Sequence, residues 1–233
     1  MDSSEKIINK LTKKAATKQE VYRVCKSFFD MLKEVVSELS EELSNDVSQI
    51  DQHVELKYTD KGEFEIELKF SGDTLIFHMH TNTFSFDKSH QIWNSSYVKE
   101  DEYKAYCGVI NVYNFLSDSF KYNRTNDLGY MIGRLFINKE KHFFTEGNGR
   151  LNFLYNNFQN DILDMPILKN IVHELMLHAM DFELVTPPFK DVQVVSLNQI
   201  NQMSQNMKLK TAKKLGFKSV SYTHLTLPPI LLV

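Results

Sequence analysis

The feature that most limits how this chain can fold is a run of period-two alternation from His53 to Met79. Val54, Leu56 and Tyr58 alternate with polar residues; Phe64, Ile66, Leu68 and Phe70 follow Asp60-Lys61-Gly62; Leu75, Phe77 and Met79 follow Gly72-Asp73. Side chains two apart share one face of a strand, so the pattern predicts an antiparallel meander with one apolar and one polar face. A three-residue loop ending in Gly62 would set Tyr58 opposite Phe64, and a two-residue loop beginning at Gly72 would set Phe70 opposite Leu75. Thr83 to Phe86 reads as a short fourth strand, which extends the meander over about 53–86.

That register places Glu67 opposite His78 and Glu65 opposite His80 on the polar face. Imidazoles beside carboxylates are the groups that hold a divalent metal. A third ligand is not evident, and cross-strand charge pairs on a solvated face, each worth roughly 0.2–1 kcal/mol, are the simpler reading. Glu65, Glu67, His78 and His80 therefore stand as a candidate binding surface on the sheet.

Elsewhere the period changes to 3.6. Thr17 to Glu20 has the form of a capping box, and Val21, Val24, Phe28, Leu32, Val35 and Leu39 then recur as an apolar stripe, which predicts a helix over about 20–43. Residues 102–120 are apolar nearly all round and predict a central buried helix. Asp164 before Pro166 opens another, which carries His173 and His178. Five residues apart, these lie about 140° around a helix and cannot act as the paired ligands of a zinc protease. Residues 182–185 and 192–195 read as strands, and Leu197 to Leu215 as a terminal helix ending at Gly216.

The segment 130–146 fits two descriptions. Its apolar residues suit a short hairpin around a polar turn at Asn138–Lys141, and Leu128, Met131, Ile132, Leu135 and Phe136 also suit a helix followed by a loop. The fold class expected from all of this is α+β, an antiparallel meander packed against several helices.

Composition supports a globular chain: 42% of the 233 residues are hydrophobic, with 17 Phe and 10 Tyr to fill a core. A net charge of −3 gives no general attraction to nucleic acid or to anionic membrane. No apolar run approaches the roughly 20 residues that span a bilayer. Cys25 and Cys107 sit in apolar patterns without metal or redox spacing and read as core residues in a reducing cytoplasm. One domain is expected over 1–218. Val220 to Val233 carries no charge and resembles the read-through of a sequencing adapter, so 219–233 is expected to be a non-native tail.

The most specific stretch is HFFTEGNGRL, His142 to Leu151. It resembles the signature of the Fic family, H-x-F-x-[D/E]-G-N-G-R, at His142, Phe144, Glu146, Gly147, Asn148, Gly149 and Arg150. The resemblance implies transfer of a nucleotidyl group, most often AMP from ATP, onto a protein hydroxyl, with Mg²⁺ and ATP as cofactors. It makes His142 the general base and Glu146 the Mg²⁺ ligand, lets Gly147, Asn148 and Gly149 cradle phosphates before a helix, and has Arg150 clamp one of them. An imidazole titrating near neutrality suits proton abstraction, glycines admit an anion to backbone N–H groups, and guanidinium presents a planar fork. The rival class is a non-catalytic interaction or ligand-sensing domain, in which the sheet presents a face to a protein partner and His142 to Phe144 pack. A loop between helices at His142 favours transfer chemistry; a paired strand favours the binding domain.

Overall fold

The computed structural model describes residues 2–147, 150–182, 186 and 188–206. The chain forms two compact units, Met1–Ala179 and Met180–Val233. In the second, α7 (Phe189–Val192) and α8 (Leu197–Asn206) are the described elements. The strand expected at 192–195 is absent, its first residue ending α7. Residues 183–185, the continuation of the terminal helix past Asn206 and the expected tail lie outside the described residues.

The first unit is built on a six-stranded antiparallel sheet in simple sequential order. Its strands are β1 (Leu56–Asp60), β2 (Glu65–Phe70), β3 (Asp73–Met79), β4 (Cys107–Leu116), β5 (Tyr130–Asn138) and β6 (Phe143–Gly147). The α+β expectation holds, as does the hairpin at 130–147 in preference to a helix and loop. The isolated bridge Phe84–Cys107 is all that forms of the fourth strand expected at 83–86.

The alternation places the residues on the faces expected, with different partners. Tyr58 pairs with Leu68 rather than Phe64, and Leu75 pairs with Leu68 rather than Phe70. The turn after β2 is Ser71-Gly72, with Ser71 in the left-handed region at φ 52. Both offsets are even numbers, so they slide strands without turning a side chain over. The polar face keeps its residues but changes its pairs: Glu65 meets His78, and Glu67 meets Ile76.

One helical layer covers the apolar face. Helix α1 (Ser3–Lys10), a π-turn (Leu11–Ala15) and α2 (Ala16–Ser48) run on without a break. The helix therefore begins well before the capping box expected at Thr17, and the box forms instead between Asp2 and Glu5. Val21, Cys25, Phe28, Phe29, Leu32, Val35, Val36 and Leu39 of α2 are buried, each such side chain contributing about 1.5–3 kcal/mol. Helix α6 (Met165–Met180) starts as expected, with the Asp164 carboxylate accepting from Ile167 N–H at 2.8 Å. Two glycines let the helices close on the sheet. A Cβ on Gly108 would lie 2.5 Å from Cys25 Cβ, and one on Gly133 would lie 3.0 Å from Leu175 Cδ2.

Residues 102–120 are not one helix. They form a 3-10 turn (Glu102–Ala105), strand β4 and the short α4 (Ser117–Lys121). Where a strand is covered on both sides it is buried at consecutive positions, as Cys107 to Ile110 of β4 are, so period-two alternation is lost there. The β-branched and aromatic residues Val109, Ile110, Val112, Tyr113 and Phe115 were the surviving sign of a strand.

Candidate functional site

Two segments cover the ends of the other sheet face and leave its middle open. Residues 84–105, which include α3 (Ser96–Glu100), build with Phe158 a second core over Cys107, Val109, Phe136 and Phe144. At the far end α4 and the chain after it lie over Thr74, Ile76 and Phe115, with Ser117 Oγ 2.9 Å from Thr74 Oγ1. Between these flanks a polar row crosses five strands. Consecutive register pairs join Glu65 to His78, His78 to Asn111, Asn111 to Arg134 and Arg134 to Glu146. At one strand spacing per step the row spans roughly 19 Å.

The charges along this row are unevenly matched. Glu146 is ion-paired with Arg134, and His90 Nε2 from the second core approaches its other oxygen at 3.8 Å. The Arg134 guanidinium lies 5.3 Å from the Phe136 ring centre. On β2, Glu67 pairs with Lys61 at 3.1 Å, and Lys69 pairs with Glu55 at 2.5 Å. Glu65 forms no ion pair among the described residues, and it lines a cleft of about 400 Å³. Ile76, Phe115 and Phe120 form its apolar lining, with Ser119, Asn123, Arg124, Thr125 and Asp127 around them. Arg124 is held inward by Asp127, Nε to Oδ2 2.7 Å, and Ser119 Oγ donates to the same oxygen at 2.7 Å.

The described part of the Fic-like motif begins at His142, which bridges to Ile162, and continues along β6 and the turn that follows. Asn138 fixes its entry. Buried completely, its Oδ1 accepts from Glu140 N–H at 2.9 Å and His142 N–H at 3.0 Å, and its Nδ2 donates to Tyr97 Oη at 2.9 Å. Lys141 at φ 67 completes the turn. His142 donates from Nδ1 to the Phe158 carbonyl at 3.0 Å and stacks on Tyr97, ring centres 4.4 Å apart. Burial, followed by the bond its hydroxyl donates to Glu140 at 2.6 Å, pushes the Tyr97 phenol well above its usual range.

His142 and Glu146 are four residues apart along extended chain, so their side chains are about 13 Å apart. Phe143 and Phe144 are buried, one on each side of the sheet. Arg150 pairs with Glu174 at 3.2 Å and leads into the four-residue α5 (Leu151–Leu154). Gly147 has a packing reason of its own: a Cβ there would lie 2.7 Å from the Ile132 carbonyl oxygen. Asn148 and Gly149 lie outside the described residues. In this arrangement Glu146 and Arg150 each have an ion-pair partner within the protein.

Of the sheet-face candidates, the row takes up Glu65 and His78. Glu67 lies one row away, opposite Ile76, and His80 lies beyond β3, its Nδ1 accepting from Asn82 N–H at 3.0 Å. Among the described residues no group of three or more His, Cys, Asp or Glu side chains is placed to hold a metal ion, and no helix is long and apolar enough to cross a membrane. Asn111, Arg134, His90 and the aromatic cleft were not anticipated. Asn111 was hidden inside the expected helix, whereas Arg134, a lone charge in an apolar run, was a usable signal once 130–147 is taken as a hairpin. No family model, no curated protein and no solved structure matches the chain.

Proposed function

We propose that this is a non-catalytic binding domain that receives its ligand or protein partner on the open middle of the sheet. The observation that carries the reading is β6, which delivers Glu146 to the polar row across the sheet and ties His142 to Tyr97 and Phe158. A surface half covered by packed segments, with charged groups left between them, suits recognition because a partner can bury those groups only by matching them.

One observation favours a second reading, Fic-like nucleotidyl transfer: α5 begins directly after Arg150, so the motif runs into a helix as the family pattern requires. Incubation with Mg²⁺ and ATP labelled on the α-phosphate separates the two. The binding reading expects no label on the protein or on lysate proteins, and no ATP-dependent rise in melting temperature. Label transfer that His142→Ala abolishes would overturn it in favour of transfer chemistry.

A further inference from the structure

We propose that the cleft between β2–β4 and residues 117–127 binds an organic cation, an alkylammonium group carried on an apolar body. The inference rests on the binding-domain reading. Phe115 and Phe120 supply perpendicular rings, their centres 5.6 Å apart and interplanar angle 73°, and Phe120 is 45% exposed. Ring faces carry negative electrostatic potential and attract ammonium groups. Glu65, which lines the same cleft, supplies the counter-charge.

The charge pattern decides the sign of the ligand. Every lysine that could neutralise Glu65 from β2 or its turn is engaged elsewhere, Lys61 by Glu67 and Lys69 by Glu55. The cation lining the cleft, Arg124, has a side chain only 4% exposed and faces Asp127, so it presents little positive charge to an incoming group. An anion would meet the unpaired Glu65 carboxylate; a neutral apolar ligand would strip water from that carboxylate and return nothing. An ammonium group answers both Glu65 and the rings. Divalent metal does not fit, because Glu65 and Asp127 are the only carboxylates in the lining and no metal-holding group of side chains is present among the described residues.

The chemistry is shared by free alkylammonium compounds and by the side chain of a lysine on a partner protein, and the two sources can be told apart. Choline, its neutral isostere 3,3-dimethylbutan-1-ol, and a lysine blocked at both backbone ends are titrated into the full chain and followed by backbone amide NMR. Choline is expected to shift the amides of Ile76, Phe115 and Phe120 saturably, with a Kd on the order of 1–10 mM, and the isostere to bind at least about 10-fold more weakly. Tighter binding of blocked lysine than of choline assigns the cleft to a protein partner; the reverse order assigns it to a free amine.

Glu65→Gln is expected to weaken choline binding about 10-fold or more without moving the melting temperature, since Glu65 makes no ion pair that folding needs. Phe120→Ala, at an exposed position, serves as an independent variant with the same expectation. No saturable shift up to about 50 mM choline, equal binding of the neutral isostere, or unchanged binding by Glu65→Gln would overturn the proposal. The binding-domain reading would survive such a failure, because the labelled-ATP experiment decides it separately.

Discussion

Gly108→Ala reports most sharply on how the sheet and its long helix fit together. Gly108 lies on β4 beneath α2, and an added Cβ would meet Cys25 Cβ at 2.5 Å and Cys25 Sγ at 2.6 Å. The nearer atom is fixed to the α2 backbone, so no rotamer change relieves the clash and the helix itself must move. Overpacking of this kind costs about 1–3 kcal/mol, which exceeds the roughly 0.4–1 kcal/mol gained by stiffening the unfolded chain. At about 2–4 °C per kcal/mol for a chain of this size, thermal melts followed by circular dichroism should show a fall of about 2–12 °C. Were residues 102–120 a helix, as their apolar pattern suggests, the same change would stabilise by about 1 kcal/mol and raise the melting temperature. Cys25→Gly in the same chain removes both clashing atoms, so the double variant should recover about 1 kcal/mol or more relative to the sum of the single effects. Cys25→Ala keeps the Cβ and should recover little. An unchanged or raised melting temperature for Gly108→Ala, or simple additivity with Cys25→Gly, refutes the packing described.

Asn138→Ala removes the side chain that caps the β5–β6 turn and bonds Tyr97. With Asn138 fully buried, the loss should be roughly 2–3 kcal/mol in urea unfolding, and a change under about 0.5 kcal/mol would mean the turn is held by other groups. Burial pushes the Cys25 thiol up to about 12 and Cys107 well above its usual range. Both should therefore resist a thiol reagent at pH 8 in the folded protein and react in denaturant; rapid native labelling would contradict their burial. The carboxyls of Asp60, held low by Gly62 N–H and then Lys33, and of Asp87, held low by Ser89, titrate below their usual values. Groups lowered in the folded state stabilise it above the unfolded value and lose that effect as pH falls through the folded one. Melting temperature should be flat from about pH 7 to 5 and decline below about pH 4, and stability rising on acidification would count against these bonds.

The sequence was readable where burial was one-sided. Residues 54–79 alternate because one face meets α2 and the other is polar apart from Thr74 and Ile76 beneath α4, and the face assignment followed even though both turns were placed in the wrong register. Register depends on turn geometry, and Ser71 adopts a left-handed conformation that residue type alone did not announce. Strand β4 was unreadable for the opposite reason: Cys107 to Ile110 are buried in succession, with the second core over Cys107 and Val109 and α2 against Gly108, so the alternation of the residues after them does not stand out. The site suffered most from this. Glu65, His78 and Glu146 were visible as candidates, but the row that joins them passes through Asn111 on the misread strand. The Fic-like motif specified residue types well and said little about backbone, since a glycine at 147 serves close packing against Ile132 as readily as it would serve a phosphate.

The central claim is that Phe143 to Gly147 form a strand paired to β5 and so contribute to the sheet face. Backbone NMR of residues 130–150 tests it most directly. The account predicts extended-chain shifts on both sides of the turn, and cross-strand contacts between Arg134 and Glu146 and between Phe136 and Phe144. Helical shifts through Leu135 and Phe136, with a loop starting at His142 and no such contacts, would contradict it.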